Sequence, residues 1–259
     1  THYLPAEALA PLRRRGKLRA RLSVVITDYD VHTIWLQEGI DRYFVATEEM
    51  AFALRRKCTG NPEVIVSGIP VLSGFSETYP EPAEMRRRLG LADMPTVLLS
   101  SGGFGLIPIH KVVRSLAEQL PGIQILAVSG KNHKLEKKLR TAAAAFPGRV
   151  VPFGFVSNMH ELMAASDLLI AKSGGLTVSE ALAMGLPMLV VKPIPGQEER
   201  NAVYLLEAGA GSWAHTPSLI VYKTGRILGS PDRVGAMRRA ARSAGNPDAA
   251  ALIAGVLLS

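Results

Sequence analysis

The sequence predicts an α/β protein built on a parallel sheet with helices on both faces. From about residue 95, short apolar runs alternate with helix-length stretches, and the connections between them are short. That alternation marks strand–helix–strand units with buried, parallel strands. The glycine-, serine- and proline-rich turns follow the strands, after Ser100, Ser129, Phe155, Ala171 and Val191. They therefore share the C-terminal strand edge, where such sheets bind ligands.

Strands are expected at residues 96–100, 124–129, 150–155, 167–171 and 187–191. Helices are expected at 109–120, 133–146, 157–165, 177–184 and 198–208. Upstream, strand candidates at 22–27, 42–47 and 64–67 surround a helix near 48–57, too few elements to close a doubly wound domain. Residues 68–82 carry Pro70, Gly74, Pro80 and Pro82 and read as an interdomain linker. The organisation expected is thus 1–78 as the C-terminal part of a first domain whose beginning is absent, and 79–259 as a second domain with C-terminal helices.

Hydrophobic residues make up 47% and charged residues 20%, a globular balance that excludes a disordered chain. The one cysteine, Cys58, excludes an intramolecular disulfide and fits a reducing cytoplasm. No apolar run approaches the ~18 residues of a membrane span. Net charge is +8, clustered at Arg13–Arg15, Lys17, Arg19 and Arg21, at Arg86–Arg88, and at Lys131–Arg140. Nucleic acid, anionic lipid or phosphorylated small molecules would each suit such clusters, as would simple solvation of helix faces. Without interleaved aromatics or a recognition motif, no nucleic-acid partner is expected.

Four turns carry chemistry. Ser100-Ser101-Gly102-Gly103-Phe104-Gly105 lets backbone approach a phosphate, although a tight strand-to-helix turn needs glycine anyway. It is neither a P-loop nor a dinucleotide fingerprint. Ser173-Gly174-Gly175-Leu176-Thr177 opens a helix, whose free N–H groups and dipole favour an anion. Glu180 follows and fits two roles: binding ribose hydroxyls, or closing a Thr177–Glu180 capping box. Lys172 reads as a phosphate partner or a rim lysine. Gly196-Gln197-Glu198-Glu199-Arg200-Asn201 offers sugar-binding amides and carboxylates, or a merely solvated first turn. Thr27-Asp28-Tyr29-Asp30-Val31-His32 supplies Asp30 and His32, acid–base capable or structural. No Cys/His metal spacing and no Gly-x-Ser-x-Gly elbow occur, and no metal is expected.

These motifs, with Gly68-Ile69-Pro70 and Gly154-Phe155-Val156, occur in the order seen in a known family. The chain resembles the monogalactosyldiacylglycerol synthase and processive diacylglycerol glucosyltransferase family, relatives of the peptidoglycan lipid-intermediate N-acetylglucosaminyltransferase. The resemblance implies a GT-B fold, with a Rossmann-like C-terminal donor domain and a partial Rossmann-like acceptor domain before it. It places uracil at the backbone of Phe155 and Val156, and ribose at Glu180. The diphosphate falls at Gly174, Gly175, Leu176 and Thr177, with Ser173 in the same nucleotide-sugar site, and the donor sugar at Gln197, Glu198 and Asn201. Gly103, Phe104 and Gly105 line the cleft, and Ser129 and Gly130 sit beside the nucleotide.

The function implied is inverting, metal-independent transfer of glucose or galactose from a UDP-sugar to diacylglycerol or a glycosyl-diacylglycerol, with no cofactor beyond the donor. The family's general base lies in a Gly-x-Gly-His loop that this sequence lacks, which leaves only Asp30 and His32 as catalytic candidates. The implied setting is cytoplasmic, peripheral on the inner face of the membrane, with anionic lipid as partner. Alternatives are a UDP-N-acetylglucosamine transferase or epimerase of the same fold, and a UDP-sugar-binding subunit that needs a membrane partner.

Overall fold

The computed structural model describes residues 2–100 and 108–259. After α1 (Tyr3–Arg14), three strands form the first sheet: β1 (Ser23–Val25), β2 (Arg42–Val45) and β3 (Glu63–Val66). They pair in parallel in the order β1-β2-β3, with α2 (Glu48–Lys57) crossing from β2 to β3. Thr47 caps α2 by accepting from Met50 N at 3.2 Å. Glu48 and Glu49 in the first turn, and Arg55, Arg56 and Lys57 in the last, complement the helix dipole.

The chain continues through α3 (Pro82–Arg88) into β4 (Thr96–Ser100), α4 (Ile109–Gln119), β5 (Gln124–Val128), α5 (His133–Ala145) and β6 (Val150–Phe153). Then come α6 (Met159–Ala164), β7 (Leu168–Ala171), α7 (Gly175–Ala183), β8 (Met188–Val191), α8 (Gln197–Glu207) and β9 (Gly211–Ala214). Helices α9 (Pro217–Leu228), α10 (Pro231–Ala244) and α11 (Ala249–Leu258) end it. The six strands pair in parallel in the order β6-β5-β4-β7-β8-β9. Strand order reverses between β4 and β7, and the crevice at such a reversal is where open α/β sheets take ligands.

Alternation along the strands divides the core. Val97 and Leu99 of β4 face one layer with α4, α5 and α9, whereas Leu98 faces the other with α6, α7 and α8. A separate core around Tyr43, Val45, Leu54 and Trp35 serves the first sheet. Helix α11 returns to that sheet, where Arg42 Nη1 donates to Val256 O at 2.9 Å.

Several expectations need correction. The sequence pattern does not reveal helix α1 or strand β9. Pro5 and Pro11 disguise α1, which buries only Ala6 and Ala10. Strand β9 is short and opens on glycine. The 68–82 segment runs between the two sheets and packs on the second: Phe75 is buried in that core and Tyr79 OH donates to Gly74 O at 2.9 Å. In the 86–88 cluster, Arg86 is buried and donates to Asp167 at 3.1 Å and to Asp93 at 3.1 Å, so it is no surface anion site.

Candidate functional site

The strand edge at the β4/β7 reversal leads into the start of α7. Gly174 is its N-cap and the first intrahelical bond runs from Val178 N to Gly174 O at 2.9 Å. The N–H groups of Gly175, Leu176 and Thr177 therefore have no acceptor within the helix. A Cβ on Gly175 would collide with the carbonyl oxygen of Thr27, so glycine is what lets the loop after β1 lie against this helix start.

The helix begins two residues earlier than its sequence pattern suggests. Thr177 is already inside α7, so the Thr177–Glu180 capping box does not form and Glu180 lies in the second turn. Its carboxylate is half-buried and has no hydrogen-bond partner among the described residues. Burial alone pushes its pKa up to about 7. Such a group is suited to accept hydrogen bonds from a ligand that supplies hydroxyls.

The start of α8 faces the same region. Gly196 sits at φ +87°, a conformation that favours glycine, and Glu199 reaches back to accept from Gly196 N at 3.1 Å. The rest of the first turn is bonded across to other elements, unlike a solvated turn. Glu198 accepts from Lys172 Nζ at 3.0 Å and from Ile194 N at 2.7 Å. Lys172 is thereby a buried ion-pair partner, not a rim lysine. Ser173 Oγ donates to Glu198 O at 2.6 Å.

Asn201 is fully buried. Its Nδ2 donates to Asp28 Oδ1 at 3.1 Å and to Ser173 O at 3.0 Å, and its Oδ1 accepts from Tyr29 N at 2.8 Å. The amide expected at the donor sugar is thus committed to protein groups. Gln197 Nε2 donates to Asp28 Oδ2, and Arg200 pairs with Asp30. Asp28 consequently meets two donors on α8, and Asp30 a third. Burial raises the pKa of Asp28, while the two amides oppose the shift.

Tyr29 completes the seam. Its ring stacks on Tyr204 with centroids 4.2 Å apart, and its hydroxyl lies 3.0 Å from Ser179 Oγ. Ser179 already donates to Gly175 O at 2.8 Å, so Tyr29 is the donor in that pair. Sequence reasoning missed Asp28, Tyr29, Ser179 and Tyr204 as a unit, because their partners lie far away in the chain.

A cleft of about 360 Å³ opens between the loop after β1 and α8, lined by Asp28, Asp30, His32, Trp35, Gln197 and Arg200. His32 Nδ1 accepts from Ile34 N at 3.2 Å, so it caps a short helical turn at the cleft wall. Ser129 Oγ donates to Phe153 O at 3.0 Å and ties the ends of β5 and β6. Gly130 follows at φ +58°. Phe155 is 67% exposed, with Lys131 Nζ 5.3 Å from its ring centroid, and Val156 beside it is half-buried. Gly103, Phe104 and Gly105 lie outside the described residues.

Residues 96–251 match the glycosyltransferase family 28 C-terminal domain, and residues 1–71 match monogalactosyldiacylglycerol (MGDG) synthase. This chain belongs to glycosyltransferase family 28. The family 28 chain is 30% identical over 90% of its length to a processive diacylglycerol beta-glucosyltransferase of Staphylococcus saprophyticus, covering 60% of that protein. It is 30% identical over 98% of its length to one of Bacillus mycoides, covering 66% of it. The chain thus spans less than two thirds of the length of these curated relatives. Acinetobacter baumannii MurG superimposes with a TM-score of 0.68 at 16% identity, over 96% of this chain and 70% of that one. The fold of this family 28 member is GT-B, as the resemblance implied.

Proposed function

We propose that this chain carries the donor site of a UDP-sugar-dependent glycosyltransferase that moves glucose or galactose to a diacylglycerol-type lipid. The observation that carries the reading is Glu180, an unpartnered, half-buried carboxylate just inside a helix whose N–H groups open on the strand-order reversal. Ribose hydroxyls would satisfy the carboxylate, and the diphosphate would meet the N–H groups of Gly175, Leu176 and Thr177. Phe155 and Val156 would border the uracil, with Ser129 and Gly130 beside it.

In the reaction, the lipid hydroxyl attacks the anomeric carbon from the face opposite UDP, and the configuration inverts. The positive end of α7 stabilises charge building on the departing diphosphate, the part a metal ion plays elsewhere. Asp30 and His32 flank the cleft, but Arg200 and Ile34 N already engage them, which weakens both as candidates for the base. The names of the relatives support a diacylglycerol acceptor.

No described helix is long and apolar enough to cross a membrane. Peripheral docking on a membrane is supported by α1, which exposes Leu4, Leu9 and Leu12 and is followed by the exposed Arg15 and Lys17. Arg13 and Arg14 contribute less, being paired with Asp41 and Glu38.

Calorimetric titration with UDP, beside a Glu180→Ala variant, tests the donor site. One-site binding, weakened about tenfold in the variant, is expected for the loss of ribose hydrogen bonds. A folded chain that gives no heat with UDP would overturn the reading.

A further inference from the structure

We propose that Asp28 is a positioning residue that sets the polarity α8 presents to the donor sugar; the proposal rests on the UDP-sugar reading above. Asp28 lies in the loop after β1, yet both carboxylate oxygens face α8. Oδ1 accepts from Asn201 Nδ2 at 3.1 Å, and Oδ2 accepts from Gln197 Nε2. An ionised carboxylate only accepts, so the Gln197 amide must turn its nitrogen toward Asp28 and its oxygen away. Gln197 is exposed on the cleft wall, and its Oε1 has no partner among the described residues. The group offered to a ligand there is an acceptor, which reads a sugar hydroxyl.

Asn201 cannot take this part, because both ends of its amide are already bonded to protein. Asp28 is 6% exposed with both oxygens engaged, so its effect on the sugar passes through Gln197. The residue that decides what Gln197 offers thus comes from the first-sheet half, 169 residues away.

Asp28→Asn separates this role from simple packing. The new Oδ1 still accepts from Asn201, but the new Nδ2 faces Gln197 and turns that amide to offer a nitrogen to the cleft. The experiment titrates the whole chain with UDP, UDP-glucose and UDP-galactose, in the parent, in Asp28→Asn, and in Asp28→Asn combined with Gln197→Glu. UDP affinity is expected to stay as in the parent in Asp28→Asn, while affinity for the preferred UDP-hexose falls about tenfold. In the double variant, the carboxylate introduced on α8 accepts from the amide introduced in the β1 loop and again presents an oxygen. Most of the lost affinity should therefore return.

Equal losses for UDP and UDP-hexose, no change in either, or no return in the double variant would each overturn the proposal. A parent that binds UDP and both UDP-hexoses equally tightly overturns it too, while leaving the UDP site standing. A parent that binds no UDP removes the donor-site reading and this proposal with it. Should Asp28→Asn fail to fold, Gln197→Leu, at an exposed position, tests the premise that Gln197 meets the sugar: an unchanged hexose affinity overturns the proposal.

Discussion

Asn201 holds Asp28 at 3.1 Å across 173 residues of sequence, and so joins the first-sheet half to the start of α8 through one buried side chain. Asp28 Oδ1, Ser173 O and Tyr29 N all depend on that amide. Asn201→Leu keeps the branched outline of the side chain but leaves these groups without their partner. Each unmet buried polar group costs about 1–3 kcal/mol, so a total loss near 3 kcal/mol is expected after partial relaxation. Urea unfolding followed by circular dichroism measures it, and a loss under about 1 kcal/mol would mean that water replaces the amide.

Glu180 links pH to both stability and binding. Its folded pKa is raised from 4.5 to about 7, so the native state holds its proton more tightly than the unfolded chain. The favourable contribution is full below pH 4.5 and is lost as pH rises through about 7. Glu180→Gln is therefore expected to raise stability at pH 8 by about 1–3 kcal/mol relative to its effect at pH 4. UDP affinity of the parent should move the other way, rising between pH 6 and 8 as the carboxylate ionises and accepts ribose hydroxyls. Thermal melts and calorimetry at several pH values test the two trends separately.

Gly174 and Gly175 are neighbours with opposite tolerance. A Cβ on Gly175 meets the Thr27 backbone, which cannot step aside without moving the loop that carries Asp28 and Tyr29. A Cβ on Gly174 has only Thr177 Oγ1 within reach, at 4.0 Å. Gly175→Ala is expected to destabilise the chain by about 2 kcal/mol or more, and Gly174→Ala by less than about 1 kcal/mol. A lowered melting temperature in the first alone would confirm that the seam, and not the turn, demands glycine.

The sheet was legible where local pattern is strong. The apolar run of β4 and the amphipathic stretch of α2 carry the right period and the right end signals, and both elements stand where expected. The start of α7 was displaced because a threonine and a glutamate three residues apart imitate a cap, while Gly174 and Gly175 let the helix begin earlier. Site residues on one rim were readable as a group, since strand ends share an edge. What those residues touch was not. Asn201, Gln197 and Arg200 look like a solvated polar turn until the loop of residues 27–30 is folded against them, and no local periodicity encodes that contact.

The 86–88 run makes the same distinction between charge and use. Arg86 reaches Asp167, Asp93 and Ala165 O, the last at 3.3 Å, and Asp167 also accepts from Thr96 N at 2.9 Å and Arg238 Nη2 at 2.9 Å. That carboxylate ties α3, β4 and α10 together in front of β7. Among the described residues, Arg87 and Arg88 pair only with Glu84, on the exposed side of α3. Arg86→Met keeps the stem but leaves Asp167 short of one buried cation, a change expected to lower stability by about 3 kcal/mol. Arg87→Ala and Arg88→Ala should not move the unfolding midpoint measurably, as exposed pairs contribute little. If α3 served an anionic surface, all three variants would weaken liposome co-sedimentation alike. On the present geometry, replacing Arg86 should not change binding by the folded chain, whereas charge reversal at Arg15 and Lys17 should reduce it.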